Sequence, residues 1–210
     1  MEATQRAGPD EWVRIHPLVV RVSHWVNVVA VVIMVMSGWR IYNAAPVFDF
    51  YLPKSITLGG WLGGAIQWHF AAMWLFALNG LVYLAYGLAS GHFRRKLLPI
   101  KPGAVLRDVL GALRGKLAHE DLSVYNAAQR AAYVSLIAAL VVLVLSGLAI
   151  WKPVQLYWLA WLMGDFDNAR VVHFFAMAAV AGIVAVHVAM VVLVPRTLPT
   201  MITGRARRAA

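Results

Sequence analysis

Four apolar stretches, roughly Val19 to Tyr42, Trp61 to Ala89, Ala131 to Trp151 and Val171 to Val194, each reach the ~20 residues an α-helix needs to cross ~30 Å of hydrocarbon at ~1.5 Å per residue. Inside lipid every backbone N–H and C=O has to be satisfied within the segment itself, so stretches of this length read as helices. The expected fold is therefore an all-α membrane protein, a four-helix transmembrane bundle occupying residues 1–210 as one domain. Composition agrees, with 61% of 210 residues hydrophobic and 13% charged. The first sixteen residues are mixed and polar, and the first apolar stretch is too long for a signal-peptide core, so no cleavable signal is expected. The chain has no cysteine, which removes disulfides, iron–sulfur clusters and thiolate zinc sites together.

Lysine and arginine set the expected orientation. Arg6, Arg14 and Arg21 precede the first span, Arg94, Arg95, Lys96, Lys101, Arg107, Arg114, Lys116 and Arg130 lie between the second and third, and Arg196, Arg205, Arg207 and Arg208 follow the fourth. These are 15 of the 19 basic residues, leaving Arg40, Lys54, Lys152 and Arg170 for the other side. Positive charge collects on the cytoplasmic face, which puts both termini and the basic 90–130 loop in the cytoplasm. Membrane lipid accounts for the net charge of +10 without nucleic acid as a partner.

Histidines occur inside the spans, where an ionisable side chain is costly enough to mark a functional site. His24 opens the outward-running first span and lies near the cytoplasmic face. His69, early in the inward-running second span, and His173, near the start of the fourth, both lie toward the outside. His187 is 14 residues beyond His173, close to four turns and ~21 Å deeper on nearly the same helix face. The depths pair His69 with His173 outside and His24 with His187 inside. Two imidazoles per site, with no carboxylate or thiolate in the spans, suit zinc badly, since zinc takes three or four protein ligands. They suit a macrocycle that already supplies four nitrogens, so two bis-histidine b-type haems are expected between the helices, bound without covalent attachment because there is no Cys-x-x-Cys-His. A single intramembrane histidine could instead hydrogen-bond across the bundle. His16, His92 and His119 lie outside the spans and read as solvated side chains.

The chain also repeats itself. Val35-Met36-Ser37-Gly38 with Ile41-Tyr42 echoes Val144-Leu145-Ser146-Gly147 with Ile150-Trp151, and His69-Phe70 with Ala72-Met73 echoes His173-Phe174 with Ala176-Met177. Two degenerate helical hairpins in parallel orientation are expected, with Gly38 and Gly147 either facing the cofactor or packing against helices. Six of the nine tryptophans, Trp39, Trp61, Trp68, Trp151, Trp158 and Trp161, gather at the outer span ends beside the Gly59-Gly60 and Gly63-Gly64 pairs. Either an interfacial aromatic belt or a docking face explains them.

Arg21-x-x-His24-Trp25 opening the first span, Ser37-Gly38 closing it, His69, Tyr125-Asn126-Ala127-Ala128-Gln129 and the His173/His187 pair together resemble the di-haem cytochrome b subunits of bacterial respiratory formate dehydrogenase, nickel–iron hydrogenase and thiosulfate reductase complexes. The resemblance runs from Arg14 to Pro195, and the motif at the third span is closest to the formate-dehydrogenase-like branch. It implies a multi-pass protein of the bacterial inner (cytoplasmic) membrane that carries electrons between quinone, ubiquinone or menaquinone, and a periplasmic redox enzyme subunit of the molybdenum type. Enzymatically it would be an electron-transfer subunit with quinone reductase or quinol oxidase activity. The resemblance casts Asn126 and Gln129 as quinone contacts; from the residues alone, three apart on one helix face, they could equally cap the helix. A stand-alone haem oxidoreductase coupling a small oxidant or reductant such as superoxide to quinone is the alternative. A proton relay fits less well, because relays usually include Asp or Glu.

Overall fold

The computed structural model describes residues 12–91, 101–114 and 126–207. Its frame is four long apolar helices: α1 (Leu18–Tyr42), α2 (Leu62–Ala89), α4 (Ala127–Trp151) and α6 (Phe166–Leu193). Between them lie α3 (Pro102–Leu113) and the short α5 (Tyr157–Leu162), and α7 (Leu198–Thr203) follows α6. Two three-residue strands, β1 (Trp12–Arg14) and β2 (Arg205–Arg207), pair antiparallel with Val13 opposite Ala206. This ribbon, a small departure from the all-helical expectation, places both described ends of the chain on one side of the bundle, as an even number of crossings requires.

The packing is that of a protein whose solvent is lipid. Large side chains such as Val29 and Val32 on α1, Leu78 and Leu81 on α2, Val141 on α4 and Val188 and Val192 on α6 point outward, while the buried residues are small. On α1 these are Ser23, Ala30 and Ser37, and on α2 Ala65, Ala72 and Gly87. A seven-residue spacing keeps small residues on one stripe, which lets two backbones approach where apolar burial itself gives no drive. α1 accordingly packs on α2 and α4 on α6, forming two hairpins, and no comparable backbone packing joins one hairpin to the other among the described residues. Asn79 Nδ2 of α2 also donates to Ser23 O at 2.8 Å and to Asn27 Oδ1 at 2.7 Å on α1, an interhelical bond of the kind worth about 1 kcal/mol in membranes.

α4 and α6 begin before the apolar stretches do, at Ala127 rather than Ala131 and at Phe166 rather than Val171. Caps explain both. Asn126 Oδ1 accepts from Gln129 N at 2.7 Å while Gln129 Oε1 accepts from Asn126 N at 3.0 Å, and Asp108 of α3 accepts from Ala127 N at 2.8 Å and from Ala128 N at 3.3 Å. Asp165 Oδ1 accepts from Asn168 N at 2.7 Å at the start of α6. Apolarity marks where a helix enters hydrocarbon, whereas the caps mark where it begins.

Two substitutions test the α1–α2 seam. Ala30→Leu puts an isobutyl group at a fully buried position and should lower the melting temperature in detergent by several degrees, more than Asn79→Ala, which loses about 1 kcal/mol. Equal melting curves for Ala30→Leu and wild type would show that the seam is not close-packed.

Candidate cofactor sites

Halfway along the outer part of each hairpin, one helix offers a serine–glycine step and the other a histidine. In the first hairpin His69 Nδ1 lies 3.1 Å from Ser37 Oγ and 3.2 Å from Met34 O. In the second, His173 Nδ1 lies 3.0 Å from Ser146 Oγ and 3.1 Å from Leu143 O. A carbonyl only accepts, so the Nδ1 atom in contact with it carries the proton and donates. The other ring nitrogen, Nε2, then holds a free lone pair, the state in which imidazole binds a metal. Gly38 and Gly147 lie under the rings: a Cβ there would stand 3.5 Å from His69 Cε1 and 3.2 Å from His173 Cε1. Of the two sequence alternatives for these glycines, each is thus seen to face its own hairpin's histidine.

The inner level is built differently. His24 on α1 and His187 on α6 face each other edge-on, with ring centroids 6.1 Å apart. These two imidazoles are the side chains that would hold a cofactor metal at this level. His69 and His173 likewise belong to different hairpins, on α2 and α6. Among the described residues no three His, Cys, Asp or Glu side chains gather into one cluster.

The outer rims of the two hairpins are tied to each other by aromatic pairs that no local sequence pattern announces. Phe70, beside His69, meets Trp151 of the other hairpin at 5.1 Å between centroids, and Phe174, beside His173, meets Tyr42 at 5.3 Å. In the repeat Tyr42 corresponds to Trp151 and Phe70 to Phe174, so the ties are twins about a pseudo-twofold axis. The sequence signal was the Ile41-Tyr42 and Ile150-Trp151 echo, but which aromatic faces which depends on the hairpins lying side by side. Phe48 and Phe50 extend the Phe174 cluster, and Arg170 donates to Ala45 O across the same rim.

At the opposite end Trp25 Nε1 donates to Met201 O at 3.1 Å and Arg21 donates to Ile202 O, fastening α7 beside His24. Gly204, at φ +78°, ends α7 in the left-handed conformation, and its carbonyl accepts from Ile15 N at 2.8 Å. His16 is half-buried rather than fully solvated, because its backbone joins this clasp. His92, His119 and Tyr125 lie outside the described residues. Asn126 and Gln129 come together as the cap of α4, with their oxygens engaged by backbone N–H groups.

Four membrane-spanning helices in two hairpins, carrying histidines at two depths, have the architecture of a membrane cytochrome of the b type. The chain belongs to the prokaryotic cytochrome b561 family, whose family model matches residues 15–204. It is 60% identical over 190 residues, 90% of this chain and 96% of the relative, to YedZ1 of Azospira oryzae, described as a putative protein-methionine-sulfoxide reductase subunit. The protein is thus a multi-pass, haem-binding electron-transfer protein of the inner membrane.

The glycines give a paired prediction. Gly38→Ala meets only ordinary van der Waals contact and gains helix propensity, so its haem spectrum should match wild type. Gly147→Ala presses on His173, which Ser146 and Leu143 prevent from yielding, and should lower haem content or shift the bound-haem absorbance. Identical spectra and haem contents in both variants would contradict the difference in clearance.

Proposed function

We propose that the chain holds two b-type haems, one between His69 and His173 in the outer half and one between His24 and His187 in the inner half, and passes electrons between membrane quinone and a redox enzyme on the periplasmic face. The observation that carries this reading is the split of each histidine pair between the hairpins, with Nδ1 of both outer rings committed as donors and Nε2 left for a metal. A bound haem would supply an iron that changes by one electron between its ferrous and ferric states. The chain's own residues hold the two levels about 21 Å apart along α6 and keep both within a low-dielectric bundle.

The partner is read as a soluble oxidoreductase, and the name of the Azospira oryzae relative makes a protein-methionine-sulfoxide reductase the one to test. The outer rim suits such docking. Trp61 lies against Gly63 and Gly64, which leave room for its indole, and it is 68% exposed; Trp161 of α5 is 75% exposed. Exposed aromatics among few charges are the usual anchors of an interface. The same reading places both termini and the basic loop in the cytoplasm, following the distribution of Lys and Arg.

Quinone is placed at the cytoplasmic side, with Asn126 and Gln129 as its polar contacts. Their oxygens cap α4, and each side-chain amide still has an NH₂ group suited to donate to a quinone carbonyl that gains charge on reduction. Capping and quinone contact are compatible uses of one side chain.

Haem stoichiometry tests the first part: a pyridine haemochrome assay should give two haems per chain, His69→Ala one, and His24→Ala one with a different absorbance maximum. One haem in wild type, or loss of both in either variant that still folds, overturns the pairing. For quinone, Asn126→Asp and Gln129→Glu keep the capping oxygens and remove the amide donors. They should slow haem reduction by quinol analogues about tenfold, the equivalent of about 1.4 kcal/mol, at unchanged stability and haem content. Unchanged kinetics in both variants moves the quinone elsewhere. Photocrosslinkers at Trp61 and Trp158 should capture the periplasmic reductase, whereas capture only from the 90–130 loop contradicts outer docking.

A further inference from the structure

The outer histidines share a brace. Ser37 and Ser146, both fully buried, stand at 3.1 and 3.0 Å from Nδ1 of His69 and His173. Each serine also lies 2.6 or 2.7 Å from the carbonyl four residues back, Ile33 O and Val142 O, a contact in which the hydroxyl must be the donor. With that hydrogen given to the helix, the serine oxygen turns a lone pair to the imidazole N–H, joining Met34 O or Leu143 O as a second acceptor. The same five parts, serine, two carbonyls, glycine and histidine, recur in both hairpins at nearly equal distances. At His24 and His187 no such brace is found among the described residues, and the two rings meet each other instead.

We propose that Ser37 and Ser146 are positioning residues that fix the tautomer and ring plane of the outer histidines and strengthen them as donors, making the outer haem the lower-potential centre of the two. The proposal rests on the ligand reading above and goes beyond it by ordering the two levels energetically. An acceptor at Nδ1–H leaves more electron density on the ring, and the stronger Nε2 donor favours ferric over ferrous iron. Two acceptors on each of two rings act in the same direction. The inner imidazoles, without them, stay nearer the donor strength of a neutral ring.

The test uses the full-length, haem-loaded protein in Ser37→Ala, Ser146→Ala and double-Ala forms, with Ser37→Thr and Ser146→Thr keeping the hydroxyl. Potentiometric titration of the haem absorbance, with low-temperature electron paramagnetic resonance of the oxidised centres, reads each haem separately, and His69→Ala shows which component is the outer one. In wild type that component should have the lower midpoint. Each Ala variant should raise its midpoint and move its resonance, the double variant more than either, while the other component stays in place and Thr restores both signals. Loss of the outer component alone in an Ala variant, recovered by Thr, has the same meaning. The proposal is overturned if the outer component has the higher midpoint, if neither or both components shift, or if Thr behaves like Ala. If His69→Ala leaves both components intact, the ligand reading itself fails and the serine role falls with it.

Discussion

Two helical hairpins in a bilayer gain nothing by burying apolar surface against each other, because lipid chains are as apolar as leucine. Within each hairpin the shortfall is met by small residues in register, Ser23, Ala30 and Ser37 on α1 against the alanines of α2, together with the Asn79 bond to Ser23 and Asn27. Between hairpins it is met at the rims, by Phe70 on Trp151 and Tyr42 on Phe174 outside and by the grip of Arg21 and Trp25 on α7 inside. Between the rims stand histidines of both hairpins, and under the proposed haem ligation a group bonded to one histidine of each would link the hairpins and couple cofactor binding to helix association.

The internal repeat carries more information than either of its copies. Ser37 with Ser146, Gly38 with Gly147 and His69 with His173 reproduce one local arrangement to within a few tenths of an ångström, and Tyr42 with Trp151 exchanges partners across the axis. The inner level has no such symmetry, since His24 lies near the start of α1 and His187 near the end of α6. The outer level is thus a doubled arrangement and the inner one is not.

Much of this was legible in the sequence because the spans are long and the histidines few. Depth follows from counting residues along helices of known rise, so the meeting of His24 with His187 needed only orientation and arithmetic. The family was legible too, through Arg21-x-x-His24-Trp25 and the fourth-span pair, although the formate-dehydrogenase-like branch suggested by the third-span motif differs from the reductase named for the relative. Asn126 and Gln129 had two readings, and the cap is the one visible in the hydrogen bonds. Other features were hidden for a common reason. Asp108 reaching the α4 N-terminus from α3, the crossed aromatic ties and the pairing of β1 with β2 join segments far apart in sequence, and no local period announces a partner on another element.

One consequence of α6 concerns work rather than structure. With His173 and His187 marking the two levels of the proposed electron path, an electron that passes between them crosses about 21 Å of a hydrocarbon layer ~30 Å thick, or about two-thirds of the voltage drop. At about 2.3 kcal/mol per unit charge per 100 mV, that is about 1.5 kcal/mol for each electron at a membrane voltage of 100 mV. Outward flow at the usual polarity, negative inside, is helped by that amount and inward flow is opposed by it. On the proposed path, the fourteen-residue step from His173 to His187 would work as a fixed voltage divider, through which the energised state of the membrane biases the direction in which the protein runs.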